Sequence, residues 1–229
     1  MRILLVLALA CGSSTGTSSN AEPTAGDESS EVGVLHTEVQ SDESEDAQAA
    51  RLAEYEARCA GVSLVDGPPP EPPPTPSIPE LRAAEEAYQA ALVPAPTPPE
   101  LALVHYNEWA QSTLADWVQE FSTRSQALQR ELNNIDRAQA NVPLVWIARS
   151  LGFFVENLKA VPAPEEISAE PEMLAVYQDA LERQARPVLA NAKGALELAE
   201  FQDPRWASYA ADLREWLTQE ECAPRPLAP

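Results

Sequence analysis

The chain has 229 residues, of which 45% are hydrophobic, and its 36 acidic and 15 basic residues give a net charge of −21 at pH 7. This charge argues against a nucleic-acid ligand, because affinity for nucleic acid comes largely from Lys and Arg side chains that neutralise phosphates. It argues equally against docking on anionic lipid headgroups and favours solubility, with a preference for basic partners.

The first ten residues are mostly apolar and end directly before Cys11. The apolar run from Ile3 to Ala10 is too short to cross a bilayer as a helix, which takes about 20 residues. No apolar segment continues it, so nothing nearby would bury it in a fold. The alternative, an apolar N-terminus of a cytosolic protein, is therefore disfavoured.

This arrangement resembles the signal of a bacterial lipoprotein, in which a small residue such as Ala10 precedes a cysteine. In such proteins the signal is cleaved directly before the cysteine, which is lipidated. The resemblance implies that residues 1–10 are a signal peptide and that Cys11 carries a lipid anchor to the membrane. Gly12 after the cysteine favours the outer membrane, facing the periplasm or the surface.

Residues 11–46 are rich in Ser, Thr, Gly and acidic residues. They offer too little apolar surface to offset chain entropy, which predicts a disordered acidic tether. Residues 47–61 predict a short helix with Gly61 as its stop. Residues 62–76 include GPPPEPPPTP, which predicts an extended Pro-rich linker; a ligand for an SH3-like groove is the less favoured alternative.

Residues 77–221 predict an all-α domain, followed by a tail at 222–229. Two sequences typical of a capping box, Ser77 to Glu80 and Thr97 to Glu100, predict helix starts. The apolar pattern then predicts two long helices, about 100–138 and 170–201, the second continuing through Pro187. A helix over 143–159, apolar nearly all round, is expected to be buried between them. The expected fold is an antiparallel helical bundle with a disordered N-terminal tether.

A last helix is predicted to start at Asp203-Pro204, where Asp can cap and Pro fits the first position. Along it Trp206, Tyr209, Ala210 and Leu213 resemble the first-helix signature of tetratricopeptide repeats. The resemblance implies a stack of helix pairs that serves as a protein-binding scaffold. An unrelated helical bundle is the alternative.

The sequence contains no pattern of a known catalytic, cofactor-binding or metal-ligating site. Its two histidines are His36, in the predicted tether, and His105, in a predicted helix. Adjacent carboxylates such as Glu165-Glu166 point about 100° apart on a helix, so they predict solvated surface rather than an acid–base pair. The five Trp residues are spaced as core anchors. We therefore expect neither a catalytic residue nor a cofactor nor a metal.

Two cysteines remain once Cys11 is acylated, and both flank predicted helices: Cys59 and Cys222. In an oxidising compartment, an even number of remaining cysteines predicts a possible disulfide between them. The alternative is two free thiols, one packed and one in the tail.

Taken together, these features predict a non-enzymatic cell-envelope lipoprotein whose helical domain acts as a scaffold or adaptor for an unknown protein partner. The alternative is a periplasmic or secreted enzyme that uses only carboxylates and amides, a site that no sequence motif would mark.

Overall fold

A computed structural model describes residues 68–136 and 139–222, together with residues 59–62, 53 and 57. The predicted signal peptide, Cys11, the acidic tether, most of the 47–61 helix and all but the first residue of the tail lie outside the described residues. The described residues contain helices and no strand, so the prediction of an all-α domain is confirmed.

The helices named below lie in one unit of the chain, and outside that unit the described residues Ala53, Ala57 and Cys59 are helical. A 3-10 turn, Pro79–Leu81, leads into the first helix, and a π-helical turn, Ala110–Leu114, joins the second to the third. The helices are α1 (Arg82–Ala91), α2 (Leu103–Trp109), α3 (Ala115–Asn133), α4 (Asn141–Ala160), α5 (Glu165–Ser168), α6 (Pro171–Glu197) and α7 (Pro204–Cys222).

Helix α4 is the centre of the bundle. It packs against α1, α3, α6 and α7, most extensively against α6. Phe154, fully buried, stacks on Trp117 and Phe121 of α3 with ring centroids 4.9 Å and 4.3 Å away. Asn141, at the start of α4, contacts Glu200, just beyond the end of α6, so these two helices run antiparallel. The five Trp side chains are all buried in the core, as expected.

The long helix predicted over about 100–138 begins later and is not uniform. It starts at Leu103 and ends at Asn133, and the π-helical turn interrupts it. Because a π turn holds more residues than an α turn, Trp109 and Leu114 both face the core although they are five residues apart. The apolar pattern alone could not distinguish this turn from a regular α-helix.

The two predicted capping boxes are wrong. The 3-10 turn has Ile78 at its N-cap and α2 has Ala102, and neither makes a side-chain capping bond. In the second case Pro99 disfavours helical geometry at Pro98, which would be the first helical residue after a cap at Thr97. Instead, the backbone N–H of Leu103 donates to Glu166 Oε2 at 2.9 Å.

Two other predictions about helix boundaries are confirmed. Asp203 caps α7, since its Oδ1 accepts a hydrogen bond from the Arg205 backbone N–H at 2.9 Å, and Pro204 occupies the first helical position. Helix α6 runs unbroken through Pro187, whose side chain is exposed. The Pro-rich residues 68–76 form neither helix nor strand, and Thr75 Oγ1 donates to Glu85 Oε1 of α1 at 2.6 Å.

The contact between α4 and α7 depends on a glycine. A Cβ atom at Gly152 would lie 2.5 Å from Cζ3 of Trp216 and 2.8 Å from Cδ2 of Leu217, both buried side chains. Such distances are well inside van der Waals contact, so any larger residue would force these two helices apart.

We therefore expect Gly152→Ala to lower the free energy of unfolding by about 1–3 kcal/mol, the usual cost of overpacking a core. Gly194→Ala is the matched control, because Gly194 lies in α6 and a Cβ there meets nothing within 4 Å. That control should gain about 0.5–1 kcal/mol from the better helix propensity of Ala. Urea unfolding of both variants measures the difference, and equal stabilities would contradict the close approach.

Candidate docking groove

A groove of about 720 Å³ lies beside the start of α4 and the α6–α7 connection. Residues from four segments line it: the end of the Pro-rich linker, the 3-10 turn, the start of α4 and the connection 198–203 with the first turn of α7. Its walls are largely apolar and include Ile78, Leu81, Val142, Leu144, Phe201 and Trp206. This volume lies in the range of small-molecule sites, so the groove can hold a few side chains but not a whole helix.

A single side-chain amide holds the groove's outer wall in place. Asn141 Oδ1 accepts a hydrogen bond from the Glu200 backbone N–H at 2.9 Å, and Asn141 Nδ2 donates to the Glu200 carbonyl oxygen. Both backbone polar groups of Glu200 are thereby satisfied in a connection that has few backbone hydrogen bonds of its own. The wall is thus fixed to α4 rather than left as a free loop.

Two residues of the groove differ sharply in exposure. Leu198, at the end of α6, is 73% exposed although it is a large aliphatic side chain. Trp206 is buried and packs edge-on against Tyr209, with ring centroids 6.0 Å apart. Its Nε1 is enclosed and has no hydrogen-bond partner in the part of the chain that the structure describes, which costs free energy inside the fold.

The charge along the groove is negative. Its lining includes the acidic residues Glu200 and Asp203 and, among the described residues, no Lys, Arg or His. Asp203 pairs with Arg205, whose Nη2 lies 2.7 Å from Asp203 Oδ2, and hydrogen bonds from the Arg205 side chain and backbone lower the pKa of Asp203. Glu200 forms no ion pair with a described residue.

A second polar cluster lies along α4 near the end of α7 and is structural. The guanidinium of Arg149 lies over the rings of Trp216 and Phe153, 5.3 Å and 5.8 Å from their centroids, a cation–π arrangement. Nearly three turns further along α4, Lys159 donates to both the backbone carbonyl and the carboxylate of Glu220. These contacts join α4 to the last turn of α7.

Glu156 is the unfavourable member of this cluster. Burial raises the pKa of its carboxyl group, the positive charge of Arg149 lowers it, and the nearby Glu220 raises it again. A raised pKa means that folding favours the protonated form. The stabilising contribution is therefore present below the pKa of the unfolded chain and is lost as pH rises through the folded pKa.

We expect Glu156→Gln to remove the loss of stability that ionisation of Glu156 causes. The variant should therefore gain stability relative to the parent protein as pH rises from 4 to 7. Glu108→Gln, at an exposed position of α2, is the control and should follow the parent curve. Melting temperatures across this pH range measure the effect. Parallel curves for Glu156→Gln and Glu108→Gln would contradict it.

The residues singled out from the sequence do not converge on one site. Cys11 lies outside the described residues. His105 is on the surface, with Nε2 3.4 Å from Glu100 Oε2 and 57% of its side chain exposed. Glu166 is exposed, as predicted, and its Oε2 also accepts the hydrogen bond from the Leu103 backbone N–H at the start of α2. No group of three or more His, Cys, Asp or Glu among the described residues is arranged to hold a metal ion.

The sequence did not predict the groove, because its residues come from four separate segments. Leu198 alone carried a usable signal. It lies off the apolar stripe of α6, which passes through Ala192 and Ala195. An aliphatic residue off the buried face at a helix end predicts an exposed apolar side chain, and such residues matter when they adjoin a cavity.

Comparisons with protein-family models, curated proteins and solved structures find no match to this chain. Any statement about function therefore depends on the chain's own residues. Among the described helices, none combines the length and the apolar character that crossing a membrane requires.

Cys59 and Cys222 are each disulfide-bonded in the structure, and Cys222 is 6% exposed. Their pairing with each other stays a prediction. Such a bond would close a loop of about 160 residues. On the chain-entropy model it would stabilise the folded state by at most about 5 kcal/mol.

We expect exported protein to migrate faster on non-reducing than on reducing gels and to resist thiol alkylation until a reductant is added. Cys59→Ser and Cys222→Ser should each abolish the mobility difference and expose one new alkylatable thiol. Full alkylation of both cysteines without a reductant would show that the bond does not exist.

Proposed function

We propose that this chain is a non-enzymatic lipoprotein of the cell envelope, anchored through Cys11, whose helical domain binds a protein partner. The groove beside the start of α4 is the observation that carries the binding role. It combines apolar walls with an exposed Leu198 in a concave site, and binding sites are usually concave and mostly apolar with a few polar groups.

The chemistry of the groove supports binding over catalysis. Its described lining residues include no Ser, Thr, Cys, His or Lys, the side chains that serve as nucleophiles or proton carriers in most enzymes. An enzyme here would have to use Glu200 and Asp203. Because Arg205 lowers the pKa of Asp203, that carboxyl group is a poor general acid.

The anchor is proposed from the sequence around Cys11. The apolar run from Ile3 to Ala10 ends on a small residue before the cysteine, and an acidic segment of about 35 residues follows. A flexible segment of that length has a root-mean-square reach of roughly 30–35 Å. The helical domain would thus stand clear of the lipid headgroups. Its negative charge also disfavours docking on anionic headgroups. Gly12 favours the outer membrane as the site of the anchor.

We expect the parent protein to fractionate with membranes and Cys11→Ser to be released or to remain as unprocessed precursor. Cys59→Ser is the control, since it also removes a thiol but should leave fractionation unchanged. Mature protein in the cytosol with Met1 intact would contradict the proposed location.

Chemical cross-linking in intact envelopes, followed by affinity purification of this chain, extends the same experiment to the binding role. A reproducible cross-linked protein partner is the expected outcome. No partner, together with hydrolase activity that Glu200→Gln abolishes, would instead favour the carboxylate-based enzyme.

A further inference from the structure

We propose that the groove beside the start of α4 docks a protein segment that presents an aliphatic side chain next to a Lys or Arg. This inference rests on the proposed function, because it names the chemistry of the partner that the scaffold binds. It also specifies which part of the domain makes the contact.

The apolar half of the segment follows from Leu198, Phe201 and Trp206. Leu198 is 73% exposed at the rim, Phe201 is half-buried, and Trp206 forms the buried wall. An aliphatic side chain inserted here removes apolar surface of Leu198 from water, which is the main source of affinity at such contacts. The groove's volume admits one or two large side chains, so the docked element is a short segment.

The cationic half follows from the charges. Glu200 carries a carboxylate at the rim that pairs with no described residue, and Asp203 adds a second one, already engaged by Arg205. The lining that the structure describes supplies no cation in return. The net charge of −21 extends this field over the whole chain, so a basic segment is attracted and an acidic one is repelled.

Three candidate occupants from this chain fit the groove poorly: the acidic residues 12–46, a second copy and the tail. Residues 12–46 are acidic and have the same sign as the rim, and a second copy would set Glu200 against another acidic surface. The tail after Cys222 contains Arg225 but cannot reach. Cys222 is about 24 Å along α7 from Trp206 at 1.5 Å per residue, whereas Leu227, five residues past the helix, extends at most about 18 Å.

Binding of labelled peptides to the full-length chain tests this inference. The probe is a nine-residue peptide of alternating lysine and leucine, compared with versions that carry glutamate for lysine or serine for leucine. We expect the lysine–leucine peptide to bind best. The double variant Leu198→Ser/Glu200→Gln should weaken its Kd by about tenfold or more, the scale of losing a central contact.

The matched control is Val176→Ser/Glu172→Gln, which removes a similarly exposed aliphatic side chain and carboxylate near the other end of α6. This control should change Kd by less than about twofold. All four positions are exposed, so both variants should keep the parent melting temperature. Equal effects of the two double variants would overturn the inference, as would equal binding of the glutamate–leucine peptide.

A second experiment tests this inference separately from the proposed function. A photo-cross-linking amino acid replaces Leu198 or Val176, and cross-linking is carried out in cell envelopes. Support requires that Leu198 captures a partner whose mapped contact peptide has a Lys or Arg beside an aliphatic residue. A partner captured from Val176 alone would leave the scaffold role standing and overturn the groove. Capture of a second copy of this chain at Leu198 would also overturn it.

Discussion

The close approach of α4 and α7 at Gly152 is the constraint on which the rest of the domain depends. Because this position has no Cβ, Trp216 and Leu217 pack directly on the α4 backbone. Helix α4 can then contact α1, α3 and α6 with its remaining faces. This explains why a helix that is apolar nearly all round is stable in this bundle, since every face of it has a partner.

Side chains from distant helices satisfy the backbone where the Pro-rich connections leave it without hydrogen bonds. Asn141 holds Glu200, Glu166 caps α2 at Leu103, and Asn157 Oδ1 accepts from the Ala95 backbone N–H at 3.1 Å. Each contact joins residues about 60 apart in sequence. The connections are therefore fixed by tertiary contacts rather than by local turn chemistry. One of these contacts, between Asn141 and Glu200, fixes the outer wall of the groove.

The sequence predicted what local chemistry determines. Asp203 and Pro204 marked the start of α7, and the apolar stripe through Leu181, Ala185 and Val188 showed that α6 continues past Pro187. The same reasoning failed at Thr97, because the acceptor that caps α2 comes from Glu166, far along the chain. The groove was hidden for a similar reason, since its walls meet only after α4 and α6 have packed. Nothing in the local sequence marks Gly152, because the side chain that requires a glycine there, Trp216, lies 64 residues further along the chain.

The π-helical turn at Ala110–Leu114 has a consequence for how this chain can change in length. Such a turn holds one residue more than an α turn while keeping the flanking faces aligned. Losing one residue there would leave a regular α-helix in which Trp109 and the shifted Leu114 still share a face. Losing one elsewhere between Leu103 and Asn133 would rotate the following half by about 100° and turn Phe121 away from Phe154. This turn is therefore the place where the long helix can lose one residue without turning its buried face towards solvent.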